Sequence, residues 1–344
     1  MDKIKIVHIL GARPNFIKAA PVIDKLSNNF HNVCVHTEQH YDYKMSSIFF
    51  QELNIPTPDY HLGVGSGTHG IQTGKAIMEI EKVLLDEKPD GVIVYGDVNS
   101  TLSAAIATSK LFIPIFHIEA ASRSYGEKIP EEVNRILVDN ISTLLFCTEQ
   151  SAYDNIEKES LPKGYLVGNT AIDSLHKVMD LIVDKKPPID DYYLCTLHRP
   201  FNVDDDDKLN SILTKLNNFS KPILFPAHPR VKNKISSDFK NIKVIESVGY
   251  LDFISYIVNS NGVISDSGGV QCDCGFLKKP LLTLRPNIKS TTPHPITLDL
   301  NNRIIDVDEL DESKFKKCEY SIPDVWDGKS SDRINKIIKE YYNL

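Results

Sequence analysis

The sequence predicts two doubly wound α/β domains facing each other across a cleft, on three observations. Short β-branched apolar runs alternate with amphipathic helical segments, the pattern of a mostly parallel sheet covered on both faces. The alternation stops at a charged, proline-containing stretch, Asp184-Lys-Lys-Pro-Pro-Ile-Asp-Asp191, and restarts after it. The chain has 344 residues, too long for one small core and of a length for two ordinary domains.

Ile4–Leu10 reads as the first strand, with a tight turn at Gly11 and a helix after it. Val33–Thr37, Gly91–Tyr95, Ile113–Ile118, Leu144–Cys147 and Tyr165–Val167 read as further strands, with helical periodicity over Ile71–Leu85 and Thr101–Leu111. Beyond the interruption, strands are expected at Tyr192–Thr196, Pro222–Pro226, Ile242–Ile245, Gly262–Ser265 and Pro280–Thr283. Helices are expected near Asp205–Asn217, Tyr250–Val258 and Gly269–Leu277. The domains are therefore placed at 1–183 and 192–328, with a linker at 184–191 and an amphipathic helix in 329–344 that packs back on the first domain.

Lys and Arg number 39 against 46 Asp and Glu, for a net charge of −7. That balance argues against a general nucleic-acid or anionic-membrane surface, so an anion site must be built from a few placed cations. Of the 6 cysteines only Cys272-Asp-Cys274 is closely spaced, and no His or Cys stands at metal-ligand distance in sequence from it. Cys34, Cys147 and Cys195 fall inside apolar runs as small buried hydrophobes, which indicates a reducing compartment. The opening MDKIKIVHILGARP reads as a strand and lacks the cleavage site of a signal peptide. No apolar run reaches the roughly 18 residues of a membrane span, so a soluble cytoplasmic protein without a membrane partner is expected.

The chemistry gathers at strand ends. Gly11-Ala-Arg-Pro-Asn-Phe-Ile-Lys18 puts two cations, Arg13 and Lys18, at a helix N-terminus, where free N–H groups favour a phosphorylated guest. Tyr95-Gly-Asp97 ends another strand, with Asp97 directed to the crevice and Asn99, Ser100 or Thr101 available to cap the next helix. His117-Ile-Glu119 ends the next, and Pro130-Glu131-Glu132-Val-Asn-Arg135 opens a helix whose first-turn acids also suit its dipole. Asp97, Glu119 and Glu131 can converge at one mouth, as a cluster that shuttles protons or holds a divalent metal. In the second half, Leu197-His198-Arg199 and Ala227-His228-Pro-Arg230 each end a strand with a histidine and a cation. Ser265-Asp-Ser267-Gly268-Gly269 offers close backbone approach and a hydroxyl, as a diphosphate requires. It has neither the Lys of a Walker loop nor a G-x-G-x-x-G, which points away from ATP and NAD toward a nucleoside diphosphate.

Taken together, GARPNFIKAAPV, GDVNSTL, HIEAASRS, PEEVNRIL, TLHRPFNVD, AHPR, GYLDF and SDSGGVQ resemble, in order and spacing, the non-hydrolysing bacterial UDP-N-acetylglucosamine 2-epimerases. The resemblance runs from about residue 4 to about residue 300. It implies a GT-B-type fold of two Rossmann-like domains, a homodimer, and UDP held mainly by the C-terminal one. It further implies reversible conversion of UDP-GlcNAc to UDP-ManNAc for surface polysaccharide synthesis. On that pattern Asp97, Glu119, Glu131 and His198 are the catalytic groups. Arg13, Lys18, Arg135, His228, Ser267, Gly268, Gly269 and Asp273 are the substrate-binding ones. The implied chemistry removes the C2 proton while UDP leaves C1, then returns a proton from the opposite face of the glycal as UDP re-adds. It calls for no redox cofactor and no metal.

Four segments depart from the family pattern. Thr37-Glu38-Gln39-His40 stands for Thr-Gly-Gln-His, and Glu119-Ala120-Ala121-Ser122-Arg123-Ser124 for Glu-Ala-Gly-Leu-Arg-Ser. Cys272-Asp273 replaces Glu-Glu, whose second member grips the ribose in the family, and Ser290-Thr-Thr-Pro-His294-Pro295 replaces Thr-Glu-Arg-Pro. The acid/base set matches while peripheral binding positions differ. A hydrolysing epimerase that releases ManNAc and UDP, an epimerase of a UDP-diacetamido uronic acid, and a non-catalytic UDP-sugar-binding protein are the alternatives.

Overall fold

The computed structural model describes residues 3–38, 43–124, 129–227, 229–285, 303–315 and 322–344. The chain forms two compact units, Met1–Lys177 with Pro323–Leu344, and Val178–Ile322.

The first unit runs β1 (Lys5–Leu10), α1 (Arg13–Leu26), β2 (His31–His36), α2 (Tyr43–Glu52), β3 (Tyr60–His61), α3 (His69–Glu87), β4 (Gly91–Tyr95) and α4 (Asn99–Lys110). It continues through β5 (Ile115–Ile118), α5 (Pro130–Ile141), β6 (Leu144–Cys147), α6 (Gln150–Lys158), β7 (Gly164–Leu166) and α7 (Thr170–Val178). Its 7 strands are ordered β3-β2-β1-β4-β5-β6-β7, and every pair is parallel. The strands read as unbroken apolar runs because helices cover both faces. Val7, Ile9, Val33, Val35, Val92 and Val94 pack on one face against Ala76, Ile80, Val83 and Leu84 of α3 and Ala104 and Ala105 of α4.

The second unit repeats the plan with β8 (Tyr193–Thr196), α8 (Pro200–Val203), α9 (Asp206–Asn217), β9 (Ile223–Ala227), α10 (Pro229–Lys232), β10 (Ile242–Glu246) and α11 (Tyr250–Asn259). It closes with β11 (Val263–Ser265), α12 (Gly268–Phe276), β12 (Leu281–Leu284) and β13 (Arg303–Ile305). The order is β10-β9-β8-β11-β12-β13, again parallel throughout. Cys195, Ile223, Phe225, Ile264 and Leu282 form its core with Leu209, Ile212, Leu213 and Leu216 of α9.

The doubly wound α/β class expected from the sequence is thus the observed one, and each strand expected is present with ends shifted by a residue or two. β3 and β13 were not anticipated; they are 2 and 3 residues long, too short for periodicity to show.

The last helix, α13 (Ser330–Tyr341), belongs to the first unit. Asp173 of α7 accepts from the amides of Ser330 and Ser331 at 3.1 and 2.7 Å, and Lys25 of α1 pairs with Asp332 at 2.8 Å. Gly168 makes the approach possible: at φ +95°, a Cβ there would lie 2.2 Å from the carbonyl oxygen of Val325.

In both sheets the strand order reverses once, between β1 and β4 and between β8 and β11. The carboxyl ends of strands flanking such a reversal are where ligands enter doubly wound folds.

Candidate functional site

At the first reversal, β1 ends in Gly11-Ala12 and α1 begins at Arg13, with no side-chain cap from Ala12. Asn15 does that work instead. Its Oδ1 accepts from the amides of Gly11 and Ala12 at 3.1 and 3.0 Å, and its Nδ2 donates to the Tyr95 carbonyl at 2.9 Å. The start of α1, which carries Arg13 and Lys18, is thereby tied to the end of β4. Arg13 lies over the Phe49 ring, 6.0 Å from its centroid, and Lys18 reaches Glu119, Nζ to Oε2 2.5 Å, both side chains largely buried. Gly96 permits that reach: it adopts φ +64°, and a Cβ would stand 3.1 Å from Lys18 Nζ.

Asp97 follows. Its Oδ2 accepts from Arg135 Nη2 at 2.6 Å and Nε at 2.9 Å, so one carboxylate oxygen is held by two charge-assisted donors. Arg135 Nη1 donates to Glu132 Oε2 at 2.8 Å and to Ser124 Oγ at 3.0 Å. Arg135, expected to touch substrate, thus makes four donor contacts within the protein. Burial works against its charge, and Asp97 and Glu132 outweigh burial, raising its pKa further. Asn134 Nδ2 donates to the Asp97 carbonyl at 2.7 Å. Glu132 accepts from the Ser124 amide as well, 3.0 Å, whereas Glu131 is half-buried in the first turn of α5.

Glu119 sits just past β5 at φ +67°, with Ala121 at φ +60°. Two left-handed sites in non-glycine residues, with one residue between them, need support, since each costs on the order of 1–2 kcal/mol. Asp139 supplies it, accepting from the Ala121 amide at 3.1 Å, while Asn155 Nδ2 donates to the Ala121 carbonyl at 2.9 Å. Asp139 is fully buried beside His117 Nδ1 at 2.8 Å and Arg123 Nη1 at 2.6 Å. Burial opposes its charge, and His117 and Arg123 outweigh burial and hold its carboxyl below the usual range. The other nitrogen of His117 stands 2.8 Å from the Gly96 carbonyl, joining the two strand ends.

At the second reversal, Asp266 is wholly buried after β11 and organises the end of β8. It accepts from the amides of His198 and Arg199 at 3.1 and 3.0 Å, from Asn202 Nδ2 at 3.1 Å, and pairs with His198 Nδ1 at 2.9 Å. With Nδ1 held, Nε2 is the nitrogen left for chemistry on a side chain that is 51% exposed. Burial would raise the Asp266 pKa, but His198, the Arg199 amide and Asn202 lower it.

Ser267 caps α12, its Oγ accepting from the Val270 amide at 3.5 Å; Gly268 is half-exposed and Gly269 exposed. A Cβ on Gly268 would lie 3.7 Å from Arg285 Nη2, so a guanidinium stands beside this turn. Asp273, one turn further, is buried, and burial pushes its carboxyl up to about 7. Its charge is felt by the buried Tyr250 hydroxyl.

Of the residues singled out in the sequence, the structure joins Lys18 to Glu119, Asp97 to Arg135, and the His198 and Ser267 turns through Asp266. His228 and the segment 290–295 lie outside the described residues. The 5 described cysteines are buried free thiols, and Cys272 Sγ donates to the Gly268 carbonyl within its own helix. Sequence reasoning missed Asn15, Asp139, Asp266 and Arg285. The first three are buried hydrogen-bonding partners without local pattern. Arg285, after the apolar run Leu281–Leu284, repeats the strand-end cation already noted at Arg199, and that signal was available.

Residues 24–339 match the family of UDP-N-acetylglucosamine 2-epimerases. A UDP-N-acetylglucosamine 2-epimerase of Methanococcus maripaludis is 44% identical over 324 residues, covering 88% of this chain and 87% of that protein. The UDP-2,3-diacetamido-2,3-dideoxy-D-glucuronate 2-epimerase of Pseudomonas aeruginosa is 44% identical over 298 residues, covering 82% of this chain and 83% of that one. The crystal structure of Methanocaldococcus jannaschii UDP-GlcNAc 2-epimerase in complex with UDP-GlcNAc and UDP superposes with a TM-score of 0.87 at 38% identity, covering 98% of this chain and all of that one. The resemblance read from the motifs, and the GT-B-type class it implies, are borne out.

Proposed function

Because the chain belongs to the UDP-N-acetylglucosamine 2-epimerase family, we propose that it inverts C2 of a UDP-2-acetamido sugar, converting UDP-GlcNAc to UDP-ManNAc reversibly. The observation that carries the reading is the pair of fixed carboxylates at the first reversal, Glu119 against Lys18 and Asp97 in the fork of Arg135. In the forward direction a base takes the C2 proton, the C2–H electrons form the C1–C2 double bond, and the C1–O bond breaks to release UDP. The 2-acetamidoglucal is flat at C2, so a proton delivered from the other face as UDP re-adds gives the epimer. Two acid/base groups are required; Asp97, Glu119 and Glu131 of the first unit are the candidates, and His198 of the second is assigned a further catalytic role. The second unit's turn at Ser267, Gly268 and Gly269, with Arg285, suits the departing diphosphate, whose charge its N–H groups and cation stabilise. Asp273 is assigned to the ribose.

Incubating the purified chain with UDP-GlcNAc and resolving the nucleotide sugars tests the reading, which predicts UDP-ManNAc at a constant final ratio from either side. Free ManNAc with UDP as the main products would make the enzyme a hydrolysing one. Turnover of the diacetamido uronate alone would move the substrate to the sugar of the Pseudomonas relative.

We further assign the chain a homodimeric state and a place in cytoplasmic synthesis of surface polysaccharide precursors. Val133, Ile136, Leu137 and Ile141 form an exposed apolar stripe along α5, at 55, 42, 45 and 39% exposure, which a second copy would cover. Light scattering at micromolar concentration should return twice the chain mass. No helix among the described residues is long and apolar enough to cross a membrane.

A further inference from the structure

We propose that His36, Glu38 and His61 form a binding site for a divalent ion of the zinc class. The site belongs to the far edge of the first sheet and does not depend on the reaction assigned above.

Strand pairing sets the two histidines side by side. β2 and β3 run parallel with His36 directly opposite His61, and residues paired in this way project from the same face of a sheet. Glu38 follows two residues past His36, beyond the end of β2. Its side chain then folds over β3: Oε1 lies 2.9 Å from His61 Nδ1, and Oε2 accepts from the Gly63 amide at 3.1 Å. One ligand atom from each of the three residues falls within 4.8 Å of the other two. Tetrahedral coordination at Zn–N and Zn–O distances near 2.1 Å requires about 3.4 Å between ligand atoms, so closure on an ion needs side-chain rotation and leaves the strands in place.

Two features point to a ligand beyond an ordinary ion pair. His36 is 4% exposed, with its ring packed by Phe16, Phe50 and His61 and one ring nitrogen within reach of the Glu38 carboxylate and the His61 ring. The second feature is backbone strain. Glu38 holds φ +56°, a left-handed conformation that glycine adopts freely and a glutamate adopts at a cost. At this strained position the carboxylate reaches His61 and comes within 4.8 Å of a His36 nitrogen. Two imidazoles and a carboxylate form a borderline-soft set that suits zinc over magnesium or calcium, with a fourth position for water.

The test titrates zinc chloride into the metal-free full-length chain against a chromophoric chelator, with magnesium chloride in parallel. Melting is followed in the same samples. The proposal predicts one zinc per chain in the micromolar range or tighter, and a melting midpoint raised by about 3 °C or more under saturating zinc and not under magnesium. His61→Ala and Glu38→Gly should each weaken that binding at least about a hundredfold and abolish the melting shift. Glu38→Gly places glycine at a left-handed site and so keeps the fold, which separates lost coordination from unfolding. Equal zinc stoichiometry and affinity in the parent and both variants would overturn the proposal, as would an equal response to magnesium.

Discussion

Lys18 Nζ lies 2.5 Å from Glu119 Oε2, a contact between the second turn of α1 and the segment just past β5 that passes close to Gly96. The backbone between them therefore carries a functional constraint. Gly96→Ala should cost on the order of 1–2 kcal/mol of stability from φ +64° alone, and should also cut turnover about tenfold or more by displacing Lys18. Urea unfolding and initial rates, measured on the same preparation, check the two effects; a stable variant with parental turnover would remove the contact from the mechanism.

Glu119→Gln and Asp97→Asn should each lower turnover by about a hundredfold or more, because positioned acid/base groups contribute on the order of 10² to 10⁴ in rate. UDP affinity by calorimetry should stay within a few-fold of the parent. A variant with near-normal turnover would exclude its residue from proton transfer.

Asp266 is paired with His198, and on the proposed reaction removing its charge should matter only while the imidazole is present. Asp266→Asn is expected to lower turnover by about tenfold or more, and to add little when introduced into His198→Gln. Independent, multiplicative losses in the double variant would mean that Asp266 shapes the turn without serving the histidine.

The pH dependence of stability has two opposed parts. The Asp273 carboxyl is raised to about 7 in the fold, so its contribution is complete below the unfolded value and is lost as pH rises from about 4 through about 7. His8 and His36 are lowered to about 4 by burial, so theirs is complete above about 6.5 and is lost as pH falls through about 4. Asp273→Asn should therefore exceed the parent by on the order of 2–4 kcal/mol at pH 8, with the difference vanishing near pH 4. Urea unfolding across that range measures it, and a pH-independent difference would contradict the assignment. If Asp273 also holds the ribose, Asp273→Ala should weaken UDP binding by about 1.5–3 kcal/mol.

The parallel sheets were legible because strands buried on both faces are written as continuous apolar runs, from Ile4–Leu10 to Pro280–Thr283. The glycine turns were legible for the same local reason. Two departures from the family pattern acquire a physical meaning only in three dimensions: Glu38 and Ala121 stand where the family carries glycine, and both are left-handed here. What the sequence withheld is the partner of each site residue. Asn15, Asp139 and Asp266 act across 80, 18 and 68 positions of sequence, and a buried carboxylate reads in a strand-end motif like any other polar residue.

Elimination and re-addition move the C2 proton, and proton NMR of the enzyme with UDP-GlcNAc in D2O reads that step. Deuterium should replace the C2 proton while the anomeric signal of UDP-ManNAc grows, and both changes should be lost in Glu119→Gln. Epimer that forms with its original C2 proton retained, or a C2 signal that never exchanges in active enzyme, would contradict elimination and re-addition.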